Sequence, residues 1–387
     1  MAATIDMVAL RRHFHEHPEL SMQEHQTAAF VAERLRALGV DEVREAIGET
    51  GVVGIIRGAG PKTVLLRADM DALPMQELGE SSYRSRNSGV MHACGHDAHT
   101  AMLLGATERL LAARADLQGT VVLCFQPGEE GHAGAKRMIA DGLLREPRVD
   151  AAFALHCYSA IDVGTIATRP GPLLACSDKF ELDVIGMGGH GAIPHTAIDP
   201  VVIACYVVTA LQTLVSREIA PKDPAVVTIG SIQAGTAQNV IPDMARMKGT
   251  VRAFDHAVRM SMKDRIERLA AGITGAMRAR SELRYNFSYP PTVNDARAVA
   301  LVQEVAATIP AITRIDIPAD MIMVAEDFSF ILDEVPGAMI MLGTRSGAST
   351  AFPQHSARYD IDERALPIGA DLLARVATEY LNASARQ

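Results

Sequence analysis

Residues 89–107 read Gly-Val-Met-His-Ala-Cys-Gly-His-Asp-Ala-His-Thr-Ala-Met-Leu-Leu-Gly-Ala-Thr. The first half packs Cys94, His96, Asp97 and His99 together, and the second half runs on as a helix whose buried stripe is Met102, Leu103, Ala106 and Leu110. Asp97 stands where an N-cap is expected. A thiol and an imidazole one residue apart can aim at one point only if the chain turns sharply, and Gly95 between them permits that turn. The stretch reads as metal-site chemistry at the start of a helix. The same residues would also suit a small buried cysteine and ordinary core histidines, because short His/Cys patterns recur by accident.

Upstream, Val52–Arg57 and Thr63–Arg67 read as strands joined by the turn Gly58-Ala59-Gly60-Pro61. The second strand runs into Asp69 and Asp71, beyond the end of a buried strand, where open α/β sheets place their active sites. Two residues apart, they share a face and could ligate a metal, hold a ligand imidazole by its other N–H, or form a solvated turn. Downstream, Gly119–Gln126 is a strand apolar on both faces that ends in Pro127-Gly128-Glu129-Glu130-Gly131. Adjacent carboxylates at a buried strand end are costly to keep charged unless a cation compensates them. One can then bind metal while the other works as general base and acid. A helix over Ala133–Leu144 precedes a strand over Val149–Leu155, which ends on His156-Cys157. Strands alternating with helices and closing on Asp, Glu or His predict an α/β fold with a mostly parallel sheet, ligands along one edge and helices on both faces.

From about Lys179 the texture changes. Phe180–Ile185 alternates apolar and polar residues, and the glycine-rich loop Gly186–His195 follows. A helix over Asp199–Arg217, strands at Ala225–Ala234 and Met247–Arg252, a helix over Val258–Arg278 and a strand at Leu283–Tyr289 predict a small inserted α+β domain. His190 and His195 have no acidic neighbour in this loop, so they suit donors facing a substrate better than metal ligands. The chain then returns through a helix at Ala296–Ile309, Glu326-Asp327-Phe328, a strand at Gly337–Gly343, a loop bearing His355, and a helix over Ala365–Leu381. At the other end, helices over Ile5–Glu16 and Met22–Leu38 flank Pro18. His13, His15 and His17 sit there without a nearby acid or thiol in sequence and read as structural.

Composition bounds the rest. At 387 residues the chain exceeds what one core usually holds. Hydrophobic residues are 48% and charged residues 21%, with mean hydropathy +0.11, which excludes a disordered chain. A net charge of -9 without clustered Lys and Arg argues against nucleic-acid binding. The five scattered cysteines fit a reducing compartment, and no signal-like or membrane-spanning run is apparent, so the expectation is a cytoplasmic enzyme.

Cys94-Gly-His96-Asp97, Pro127-Gly-Glu129-Glu130-Gly, Leu155-His156, Gly188-Gly-His190, Gln238-Asn239-Val-Ile-Pro-Asp243, Gly249-Thr-Val-Arg252, Glu326-Asp327-Phe328 and His355-Ser356 occur together and in order. This set resembles the M20 family of metallopeptidases and amidohydrolases, in the branch of hippurate hydrolases, N-acyl-amino-acid amidohydrolases and plant auxin-conjugate hydrolases. The resemblance implies two divalent metal ions per subunit, held by Cys94, His96, Glu130, His156 and His355, with Glu129 as catalytic acid and base. Asp71 would orient a ligand from behind. Cys94 would replace a histidine that other branches carry at the position of Asp69. The resemblance further implies a catalytic domain over 1–178 and 294–387 and an inserted lid and dimerisation domain over 179–293. His190 would act in the partner's active site of a homodimer, and Asn239 with Arg252 would hold the substrate's carboxylate. The donor set suits zinc, manganese, cobalt or nickel. The implied reaction is hydrolysis of the amide bond of an N-acyl amino acid, with a dipeptidase, carboxypeptidase or N-acetyl-diaminopimelate-type deacetylase as alternatives. A catalytically idle metal-binding scaffold fits less well, since storing a metal gives Glu129 nothing to do beside Glu130.

Overall fold

Lys62–Asp69 is buried from Thr63 onward, and a strand apolar on both faces belongs in the middle of a sheet. In the computed structural model, which describes residues 5–318 and 320–385, it lies between Gly119–Gln126 and Ala151–Asp162 and runs parallel to both. The eight-stranded sheet follows the order Glu42–Ile47, Gly51–Arg57, Gly119–Gln126, Lys62–Asp69, Ala151–Asp162, Gly337–Arg345, Thr165–Ala167, Arg314–Asp316. Asp69 pairs in register with Gln126, and Arg67 with Ala154, so the end of one strand, the turn after its neighbour and His156 come to the same level.

Some expectations need correction. Gly51–Arg57 and Lys62–Asp69 are joined by a turn, but Gly119–Gln126 lies between them, antiparallel to the first and parallel to the second. Glu42–Ile47, too charged to read as a strand, pairs antiparallel at the edge. His156 and Cys157 lie inside a strand that continues to Asp162. The helix His96–Ala112 is buried from His96 through Thr107 and again at Leu110, a far wider surface than one stripe. Met7–Glu16 and Ala365–Ala385 pack against it, so it is a core helix of this unit.

The chain divides into two compact units. The first comprises residues up to Gly171, Val293–Asp320 and the chain from Asp327 on; the second comprises Pro172–Thr292 with Met321–Glu326. The short segment joins the second unit through backbone pairing that sequence does not display: Ala175 donates its N–H to Ile322 and Val324 carbonyls, and Ile322 donates to Leu173.

The second unit carries an antiparallel sheet in the order Ala225–Ala234, Met244–Ala253, Ser177–Ile185, Arg280–Tyr289. Its core joins Phe180, Leu182 and Val184 to Ile203 and Val207 of the helix Pro200–Thr213 and to Met262 and Ile266 of the helix His256–Ala276. Asp199 caps the first of these helices by accepting from the Val201 N–H, and Pro200 sits where no N–H is needed. By length and composition alone, one helix among the described residues, Pro200–Glu218, is long and apolar enough to cross a membrane, with mean hydropathy 1.5 and with Arg217 and Glu218 at its end. Its inner stripe lies in this core, while Val202 and Tyr206 are 47% and 60% exposed.

Candidate metal centre

The first unit gathers its chemistry where the strands end. Gly95, not Asp97, occupies the N-cap position, with φ 94°, a left-handed turn that favours glycine. A Cβ there would lie 2.8 Å from the Tyr359 hydroxyl and 3.0 Å from the Cys157 Cβ. Asp97 is buried in the first helical turn, where its Oδ2 accepts from Arg11 Nε at 2.8 Å and lies 2.7 Å from His15 Nδ1. Burial opposes the charge of Asp97, yet Arg11 and His15 hold the carboxyl well below the usual range. His15 is structural, as expected, but it does have acidic partners, Asp97 and Glu77, reached only through the fold.

The proposed ligands come together. Cys94, His96 and His156 bring donor atoms within 4.8 Å of one another, and so do Cys94, Glu130 and His355. The two groups share Cys94. Cys94 Sγ lies 3.5 Å from His156 Nε2, and His355 Nε2 lies 3.1 Å from Glu130 Oε1. His96, Glu129 and Glu130 form a further group, with Glu129 buried. His355 stands in the left-handed region at φ 64°, its backbone N–H held by the Ala93 carbonyl at 2.8 Å.

Asp71 organises the set. His96 Nδ1 donates to the Asp71 carbonyl at 2.8 Å and lies 3.1 Å from its Oδ1. Asp71 Oδ2 accepts from the Glu130 N–H at 2.9 Å and from the Ser21 hydroxyl at 2.6 Å, a partner the sequence did not suggest. His156 Nδ1 donates to the Cys157 carbonyl at 2.8 Å. Both rings therefore turn Nε2 toward the other donors. Asp69 is engaged differently, its oxygens meeting Arg67 Nη1 at 2.8 Å and His99 Nδ1 at 2.5 Å. Asp327 accepts from Arg67, from Gln126 Nε2 at 2.7 Å and from the Ala135 N–H, tying two strand ends to the helix that follows.

This donor set fits divalent cations. The buried Nε2 of His96 has no hydrogen-bond partner, although Asp69 Oδ2 lies 3.4 Å away. Burial pushes His156 down to about 3, so its ring is neutral, the form that binds metal. Cys94 and then Glu130 push His355 up to about 10, and Asp69, Asp71 and Cys94 raise His96 despite its burial. The acidic groups that hold protons on His96 and His355 mark a local excess of negative charge, which a cation would neutralise.

In the second unit, His190 is exposed on a short strand paired with Val240. Its Nδ1 accepts from the Ala192 N–H at 3.0 Å, which leaves Nε2 as the donor of the neutral ring. The Asn239 carbonyl accepts from the Gly191 N–H at 2.9 Å, tying the two loops together. Arg252 is half-buried, donates to the Cys176 carbonyl at 3.3 Å, and makes no ion pair among the described residues.

The model of peptidase family M20/M25/M40 matches residues 65–379. Thermostable carboxypeptidase 1 of Saccharolobus solfataricus is 41% identical, with 97% of this chain and 95% of that protein covered. IAA-amino acid hydrolase ILR1-like 4 of Arabidopsis thaliana is 40% identical, with 97% and 86% covered. A solved Bacillus subtilis structure, described as a dinuclear metal-binding peptidase of the M20 family, superposes with a TM-score of 0.86 at 34% identity, with 97% of each chain covered. The chain belongs to peptidase family M20/M25/M40 and is a metal-dependent hydrolase.

Proposed function

We propose that the protein hydrolyses the amide bond of N-acyl or N-aroyl amino acids, in the manner of a hippurate hydrolase, releasing a carboxylic acid and a free amino acid. The observation that carries this reading is Arg252, a half-buried guanidinium without a carboxylate partner among the described residues. Its planar fork suits the free carboxylate that such substrates retain. Asn239 is assigned to the same carboxylate. The Arabidopsis relative, named for IAA-amino acid conjugates, supports an acyl group on an amino acid. The Saccharolobus relatives, named carboxypeptidases, keep a peptide substrate as the second reading.

Cys94, His96, Glu130, His156 and His355 would hold two divalent ions, whose Lewis acidity activates water and polarises the carbonyl. Glu129 takes a proton from the attacking water and returns it to the leaving nitrogen. His190 of one copy donates its Nε2–H to the carbonyl oxygen in the active site of the other copy as negative charge develops there. We assign the protein to a homodimer in the cytoplasm. The exposed Val202 and Tyr206 and the edge strand Ala225–Ala234 support an interface between copies, and the free cysteines suit a reducing compartment.

The test is a panel of benzoyl-, acetyl- and long-chain acyl amino acids, their carboxyl methyl esters, and simple dipeptides, with and without added metal. Metal-dependent cleavage of the free acids, with the esters poor, is expected. Esters cleaved as fast as the acids would remove Arg252 from its role, and cleavage of dipeptides alone would favour the peptidase reading.

A further inference from the structure

His99 is buried in the first turn of its helix and is not among the proposed ligands. The Cys157 N–H, which can only donate, points at His99 Nε2 at 2.8 Å. The ring hydrogen therefore sits on Nδ1 and is donated to Asp69 Oδ1 at 2.5 Å. Both ring nitrogens are occupied, so His99 has no atom left for a metal, although Asp69, His96 and His99 bring donor atoms within 4.8 Å of one another. The pairing of Lys62–Asp69 with Ala151–Asp162 runs only as far as Arg67 opposite Ala154. Beyond that point the Cys157 N–H meets His99 instead of a strand.

The residue whose N–H His99 accepts also orients a proposed ligand, through its carbonyl on the far side of the Cα. The carbonyl of Cys157 accepts from His156 Nδ1 at 2.8 Å and from Gln354 Nε2 at 2.6 Å. We infer that the Asp69–His99 pair is a positioning device that anchors the backbone at Cys157 through its N–H, so that the Cys157 carbonyl stays in place, His156 keeps its hydrogen on Nδ1 and Nε2 turns toward Cys94. The inference rests on the proposed reading of His156 as a metal ligand. It gives Asp69 a role one step removed from the ions.

The test compares wild type, His99→Ala and His99→Gln by nitrogen NMR of the histidine rings in the metal-free protein, and by calorimetric titration with cobalt or zinc. The Gln side-chain oxygen can take the place of Nε2 and accept from the Cys157 N–H. The wild type should show His99 and His156 each with the hydrogen on Nδ1. His99→Ala should lose the single His156 tautomer and bind one of two ions about 10–100-fold more weakly, while His99→Gln recovers most of both. Should His99→Ala fail to fold, Asp69→Asn carries the same test, because an amide can present N–H to Nδ1 and force the wrong tautomer. Unchanged His156 signals and ion affinities in these variants would overturn the inference. So would complete loss of one ion from both His99 variants with His156 undisturbed, which would make His99 a ligand. A wild type that takes up no divalent metal would sink the hydrolase reading, and the NMR comparison would still decide whether His99 fixes His156.

Discussion

Asp71 grips the His96 ring through its carbonyl, 2.8 Å from Nδ1, and through Oδ1 at 3.1 Å, while its Oδ2 takes the N–H of Glu130 at 2.9 Å. One residue thus aims two neighbouring donors. Asp71→Asn keeps the shape and loses the charge, and such partners behind a metal ligand are typically worth about 10–100-fold in metal affinity or activity. The variant should fold normally and bind metal more weakly by that factor in a calorimetric titration; wild-type affinity would detach Asp71 from the centre.

Glu129 is buried beside Glu130, and its assigned work is on protons. Glu129→Gln should retain its full metal content by elemental analysis and lose about 10²–10⁴-fold in kcat, the usual worth of a positioned acid or base. Substantial turnover in that variant would take the role away from Glu129.

Without metal, His96 is held protonated by Asp69, Asp71 and Cys94 against the cost of burial, and Cys94 and Glu130 raise His355 to about 10. Ligation requires these rings deprotonated, so uptake must release protons near neutrality and affinity must rise with pH. Removal of metal with a chelator should abolish activity, re-addition should restore it, and affinity should increase between about pH 6 and 9. Affinity that is flat with pH would contradict the proton release.

His92 is buried with neither ring nitrogen hydrogen-bonded, and burial pushes it down to about 4. The unfolded chain, with an ordinary histidine, then binds the extra proton between about pH 6.5 and 4, so stability falls as pH drops through that window and is unaffected above it. The whole span corresponds to about 3 kcal/mol. His92→Leu removes the titrating group and should flatten denaturation midpoints across this range. An unchanged slope in the variant would assign the pH dependence to other groups.

Much of this centre is legible in the sequence because its chemistry is local there. The turn at Gly95, the paired Glu129 and Glu130 after a buried strand, and the period-two spacing of Asp69 and Asp71 each declare themselves within a few residues. What the sequence hides depends on residues far apart in the chain. Asp97 has the position of a cap and instead meets Arg11 and His15 on another helix. Gly119–Gln126 inserts between two strands that follow one another in sequence, a choice made by strand pairing and not by the turn that joins them. Arg67 sits inside an apolar strand and reads as part of it, although a buried guanidinium requires acids such as Asp69 and Asp327 nearby.

The most direct measurement is anomalous diffraction at the absorption edge of the metal that supports activity. Two peaks are expected per chain, one against Cys94, His96 and His156 and one against Cys94, Glu130 and His355. Peaks elsewhere, or none in an active crystal, would contradict a dinuclear centre built on Cys94.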